Sequence, residues 1–233
     1  MKSNSLNLRA EISGKKCYFY ADPCPKAILI QPLGEEETET LHLQLAYIKS
    51  RSPIPFVFAG FVAEDWNEAL SPWKAPPVFG KAGFGNGAAE TLAWIEKELI
   101  PYVDSIFPEA AGKRIIGGYS LAGLFSLWAA YESHAFTCAA GVSPSVWFPG
   151  WVDYIQSRDI CVSAVYLSLG DAESKNRNAV MRTVKENIET QYSCLCRQLS
   201  TKNCMLEWNQ GGHFNEPEIR TAKGFVRLLN TMR

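Results

Sequence analysis

"IIGGYSLAGLFSLWAAYE", residues 115–132, passes from one periodicity to another with almost nothing in between. The apolar run into Gly117-Gly118-Tyr119 reads as a buried strand, and from Leu121 onward apolar residues recur at helical spacing. Only the glycines and Ser120 occupy the corner. A chain that turns this sharply holds its corner residue in a strained conformation and needs small neighbours two positions before and after it. Gly118-Tyr119-Ser120-Leu121-Ala122-Gly123 meets that demand, with Ala122 in place of the usual second glycine of a G-x-S-x-G elbow. Such a turn lifts the serine hydroxyl above the carboxyl ends of the strands, where open α/β sheets bind ligands. It also starts a helix there, so the Leu121 N–H and the positive helix end face any anion that forms. The hexapeptide alone also fits a tight strand–helix connection whose serine merely caps the helix.

Outward from this corner, strands and helices alternate. Strands are expected at 18–22, 26–32, 55–61, 114–119, 136–144, 164–170 and 204–210. Helices are expected at 40–50, 88–107 with a kink at Pro101, 121–132, 178–199 and 216–231. "PFVFAGF" (55–61) is apolar throughout, the mark of a strand buried on both faces of a parallel sheet. A loop rich in Pro, Gly and Trp follows as far as Gly87. This order, without repeats or a low-complexity linker, predicts an α/β fold: a mostly parallel central sheet with helices on both faces, in a single domain over 1–233.

Composition narrows the function classes. The 233 residues are 47% hydrophobic and 20% charged, an ordinary globular mix able to bury a large core. A formal net charge of −1 and the absence of a basic stripe argue against nucleic acid as a partner. No apolar stretch approaches the ~20 residues of a membrane span. "MKSNSLNLRAEISGKK" lacks the apolar core of a secretory leader. Seven scattered cysteines, an odd number, suggest reduced thiols in a cytoplasmic protein. A zinc reading of Cys194-Leu195-Cys196 fails on spacing, and no histidine lies near in sequence. No metal or cofactor is expected. The oligomeric state stays open, a homodimer included.

A serine hydroxyl is a weak nucleophile at neutral pH and needs a base, and the base needs an orienting group. Of the three histidines, His42 falls in an amphipathic helix and His134 precedes a strand at the end opposite the serine. His213, in "EWNQGGHFNEPE", follows the last strand after two glycines and precedes a helix, which suits the base. The acid is expected between them. Strand 164–170 ends at Gly170, and "DAES" follows at once, offering Asp171 and Glu173. Glu173 lies 53 residues after Ser120 and 40 before His213, leaving room for the intervening elements.

With "GGYSLAGLFSLW" (117–128), "YLSLGDAES" (166–174) and "GGHF" (211–214), the sequence resembles the putative-esterase family of α/β-hydrolases. That family includes esterase D, the enterochelin esterases and the antigen 85 mycolyltransferases. "DWNEALSPWKAP" (65–76) is similar to a Ser/Thr-Pro loop found in many members, and the likeness runs from about Ala27 to the C-terminus. The resemblance implies the α/β-hydrolase fold and a serine esterase with no metal. Its G-x-x-D/E spacing falls on Gly170 and Glu173 and favours Glu173 over Asp171. A second oxyanion donor, beside Leu121, falls near Gln31-Pro32-Leu33; proline has no N–H, so Leu33 is expected, with Gly34 as the alternative.

Trp66, Trp73, Trp147 and Phe148 lie in loops at the same end and are candidates for lining a pocket, although lid packing explains such aromatics equally well. Arg220 and Lys223 read as surface charges. "EEETE" (35–39) reads as a solvated helix start that would disfavour a strongly anionic substrate. Taken together, the sequence predicts hydrolysis of a small carboxylic ester through an acyl-enzyme on Ser120, His213 and Glu173. Acyl transfer on the same residues and a non-catalytic binding module that kept the fold are the alternatives.

Overall fold

The computed structural model describes residues 6–232. Residues 1–5, which open the stretch judged to lack a leader, lie outside the described residues. Eight strands are formed: β1 (Leu6–Ile12), β2 (Lys15–Ala21), β3 (Ala27–Leu33), β4 (Phe56–Val62), β5 (Arg114–Tyr119), β6 (Cys138–Val142), β7 (Ala164–Gly170) and β8 (Cys204–Asn209). They make one sheet in the order β1-β2-β4-β3-β5-β6-β7-β8. From β4 to β8 every neighbouring pair is parallel, whereas β1 and β2 run antiparallel to their neighbours. The mostly parallel sheet is as expected. β1 was not, and its reason is local: Ser13 and Gly14 take φ +48° and +83°, closing a two-residue hairpin onto β2.

Eight α-helices accompany the sheet: α1 (Glu35–Arg51), α2 (Trp66–Ala69), α3 (Ala88–Trp94), α4 (Ile100–Ile106), α5 (Ser120–Glu132), α6 (Trp151–Gln156), α7 (Val184–Gln198) and α8 (Pro217–Thr231). Between α3 and α4 the chain does not simply kink at Pro101; a π-helical turn over Ile95–Leu99 absorbs the missing N–H. The period of two along the central strands divides the core. Ile28, Ile30, Val57 and Ala59 face α3, α4 and α5, while Leu29, Phe56 and Phe58 face α1 and α8. Both faces are therefore covered, which is why β3, β4 and β7 are buried along their whole length. All seven cysteines are free thiols. No helix among the described residues is long and apolar enough to cross a membrane.

One polar pair is sealed between sheet and helix. Gln31 and Gln44 are 0% and 3% exposed, and the Gln44 amide Nε2 donates to Gln31 Oε1 at 2.6 Å. Removing one partner strands the other in an apolar layer, which costs about 1–3 kcal/mol. Gln44→Ala is expected to lower the urea midpoint accordingly, and Gln31→Leu with Gln44→Leu to recover most of that loss. A double variant as unstable as the single one would contradict the pairing.

Candidate active site

The carboxyl ends of β5, β6, β7 and β8 converge on one cluster. Ser120 opens α5 with φ +56°, a left-handed conformation that costs a non-glycine residue about 1–3 kcal/mol. Its neighbours explain how the turn fits. A Cβ added to Gly118 would lie 2.6 Å from that of Ala122, and one on Gly123 would lie 2.9 Å from the Gly118 carbonyl oxygen. Ser120 Oγ stands 3.0 Å from His213 Nε2 and 3.4 Å from Ser145 Oγ. His213 Nδ1 stands 2.7 Å from Glu173 Oε2. The three residues expected to act together are thus in one hydrogen-bonded row.

Glu173 is buried, and its second oxygen, Oε1, accepts from the Gly170 N–H at 2.7 Å and from the Ser143 hydroxyl at 2.7 Å. Burial works to raise its pKa, but the hydrogen bond and charge of His213, with the Gly170 and Ser143 donors, outweigh it and hold the carboxyl below the ordinary carboxylate value. An ionised Glu173 accepts a hydrogen bond from Nδ1–H, so Nε2 is left free to accept one from the Ser120 hydroxyl. Asp171 does something else: its Oδ1 accepts the Gly211 N–H at 2.9 Å, pinning the histidine loop. His42 and His134 are exposed and remote in role, the former bonded to the Glu39 carbonyl.

Three expectations need correction. Arg220 is not a surface charge; it is 2% exposed, with Nη1 donating to Gly212 O at 3.0 Å and to Glu173 Oε1 at 3.4 Å, and Nη2 to Gln210 O at 2.9 Å. Helical period alone places it inward, on the face of Gly224 and Leu228. Leu33 does not offer a free N–H. It pairs in register with Val62 and its carbonyl accepts from Ala63, which directs its own N–H toward Phe61 of β4. Gly34 is then the remaining candidate, and its N–H donates to Glu37 Oε2 at 2.8 Å as part of the α1 cap. Of the four aromatic candidates, Trp66 alone lines the cleft at Ser120. Trp73 packs among Phe148, Trp151 and Tyr154, and Trp147 and Phe148 are buried, so these three join the packed aromatic core of the loops and do not line the cleft. Ser143 and Phe214 had no signal strong enough to single them out.

The cleft itself holds about 530 Å³. Trp66, Phe214, Glu35, Glu36, Glu37 and Glu64 line it together with Ser120 and His213. Among the described residues no group of three or more His, Cys, Asp and Glu is arranged to hold a metal ion.

The family model described as "Putative esterase" matches residues 37–204. No curated protein matches the chain significantly. Among solved structures, an IroE-like serine hydrolase from Shewanella oneidensis superimposes with a TM-score of 0.75 at 15% identity, over 99% of this chain and 81% of that one. The siderophore hydrolase EstB from Aspergillus nidulans gives 0.75 at 16% identity, over 96% and 93% of the two chains. The enterobactin and salmochelin hydrolase IroE gives 0.67 at 16%, over 97% and 93%. At such identities the likeness establishes the fold, the α/β-hydrolase fold.

Glu37 makes the cleft pH-sensitive. Burial pushes its carboxyl up to about 7 from an ordinary 4.5, with the Gly34 N–H opposing and Glu36 adding to the rise. The folded state therefore holds this proton more tightly than the unfolded chain. The stabilising contribution is complete below about 4.5 and is lost as pH rises through about 7. Unfolding free energy measured in urea is expected to fall over that window in the wild type relative to Glu37→Gln. Parallel curves for the two proteins would contradict the shift.

Proposed function

Because the chain belongs to the putative-esterase family, we propose that it is a serine hydrolase that cleaves a small carboxylic ester through an acyl-enzyme, in one catalytic domain. The observation that carries the reading is the row Ser120 Oγ, His213 Nε2 at 3.0 Å and His213 Nδ1, Glu173 Oε2 at 2.7 Å. His213 takes the Ser120 proton as Oγ attacks the ester carbonyl, and the resulting imidazolium faces the buried Glu173 carboxylate. The tetrahedral oxyanion is held by the Leu121 N–H, left without an intrahelical partner in the first turn of α5. Gly34 supplies the second N–H when Glu37 releases it, and each such donor is worth about 3 kcal/mol. His213 then protonates the leaving alcohol, and the same groups admit water to the acyl-serine.

A cytoplasmic location is part of this proposal, supported by free thiols at seven cysteines, which suit a reducing compartment. The roles of the two acids separate by substitution. Glu173→Gln is expected to lose about 10⁴-fold in kcat by removing the orienting carboxylate. Asp171→Asn, which keeps an oxygen for the Gly211 N–H, should retain most activity. A large kcat loss in Asp171→Asn with Glu173→Gln near wild type would pass the role to Asp171.

A further inference from the structure

The wall of the cleft at Ser120 carries one sign of charge. Glu35, Glu36 and Glu37 come from the first turn of α1 and Glu64 from the segment after β4, so carboxylates approach from two separate elements. Among the described residues no lysine or arginine lines this cleft. Helix capping accounts for part of this: acids at a helix start favour the positive end of the dipole, and Glu37 binds the Gly34 N–H. It does not account for Glu64, which precedes α2, where the cap bond is made by Asp65 instead, and which is exposed. Nor does it account for the aromatic side chains that share the cleft. Phe214, directly after the histidine, is 92% exposed, and the half-buried Trp66 ring packs beside Gly34. A second cleft of about 720 Å³ shares Glu64 and Trp66 with this one and is lined also by Asp65, Glu68 and Lys74.

Carboxylates interleaved with aromatic faces are what a cationic group seeks, since ring faces attract cations and the acids supply long-range attraction. An anionic ligand would meet repulsion along the same wall. Resting on the ester-hydrolase reading above, we propose that the cleft selects esters carrying a cationic group, a protonated amine or quaternary ammonium, held by Trp66, Phe214, Glu35, Glu36 and Glu64 while Ser120 attacks the carbonyl. The charge acts on specificity, not on the reaction at the serine.

The test compares matched esters. Each pair holds one trimethylammonium ester and its neutral isostere with a tert-butyl group in the same place; one pair carries the group on the alcohol as a butyrate ester, the other on the acyl chain of a p-nitrophenyl ester. At low ionic strength kcat/KM is expected to favour the cationic member of at least one pair by about tenfold, and less at about 0.5 M salt. Glu35→Gln, Glu36→Gln and Glu64→Gln combined should bring that ratio toward one; all three are exposed, so folding is not at stake. Hydrolysis of neutral isosteres at rates equal to or above those of both cationic esters would overturn the inference and leave the ester-hydrolase reading intact. Cleavage of no ester in either pair would overturn both.

Discussion

The buried carboxylate of Glu173 is the interaction on which the rest of the site depends. Its two oxygens tie together four pieces of chain: the end of β7 through the Gly170 N–H, the end of β6 through Ser143, the histidine loop through His213, and α8 through Arg220. A lone carboxylate in such a place would be protonated or expelled. Here each oxygen has a donor, and the Arg220 guanidinium brings positive charge close by. Arg220 reinforces this from behind, because the same side chain that touches Glu173 also holds the Gln210 and Gly212 carbonyls on either side of the tight glycine turn. The position of His213 and the charge of Glu173 are thus fixed by one connected network.

Close backbone approach is what lets the network form. A Cβ on Gly170 would lie 2.4 Å from the Gly211 carbonyl oxygen, so a glycine at the end of β7 is what lets the histidine loop come down onto the acid. Gly211 itself sits at φ +98°. On the other side, Ser120 bears the left-handed strain and Gly118 admits Ala122 beneath it. Strain of this kind persists only where surrounding structure over-determines it, and the buried β5 and α5 provide that surround.

Much of this was legible in the sequence because it rests on local chemistry. The period switch at Ser120 and the glycines before His213 each state their own backbone geometry. Asp171 and Glu173 both follow the same strand end, and what favoured Glu173 was the G-x-x-D/E spacing of the family it resembles. What escaped depended on register or on which side of a loop faces inward. The N–H of Leu33 is directed by its pairing with Val62, a tertiary fact. Trp73, Trp147 and Phe148 share their composition with Trp66 and differ only in being turned into the packed aromatic core of the loops. Arg220 was misjudged by residue type although its helical spacing placed it inward, and the alternation of Leu8, Ala10 and Ile12 with Arg9 and Glu11 in β1 was there to be read.

The same physical reading joins the network to the cleft above it. On the proposed reading the negative, aromatic wall recognises the substrate while His213 accepts the Ser120 proton, so recognition and chemistry belong to different residues. The central claim is that this lower network makes Ser120 nucleophilic. Treatment with an organophosphonate ester followed by peptide mass spectrometry tests it most directly. The account predicts one adduct per chain, on the peptide containing Ser120, absent in Ser120→Ala and strongly slowed in His213→Gln. An adduct on a different serine, or none on protein that still hydrolyses esters, would contradict it.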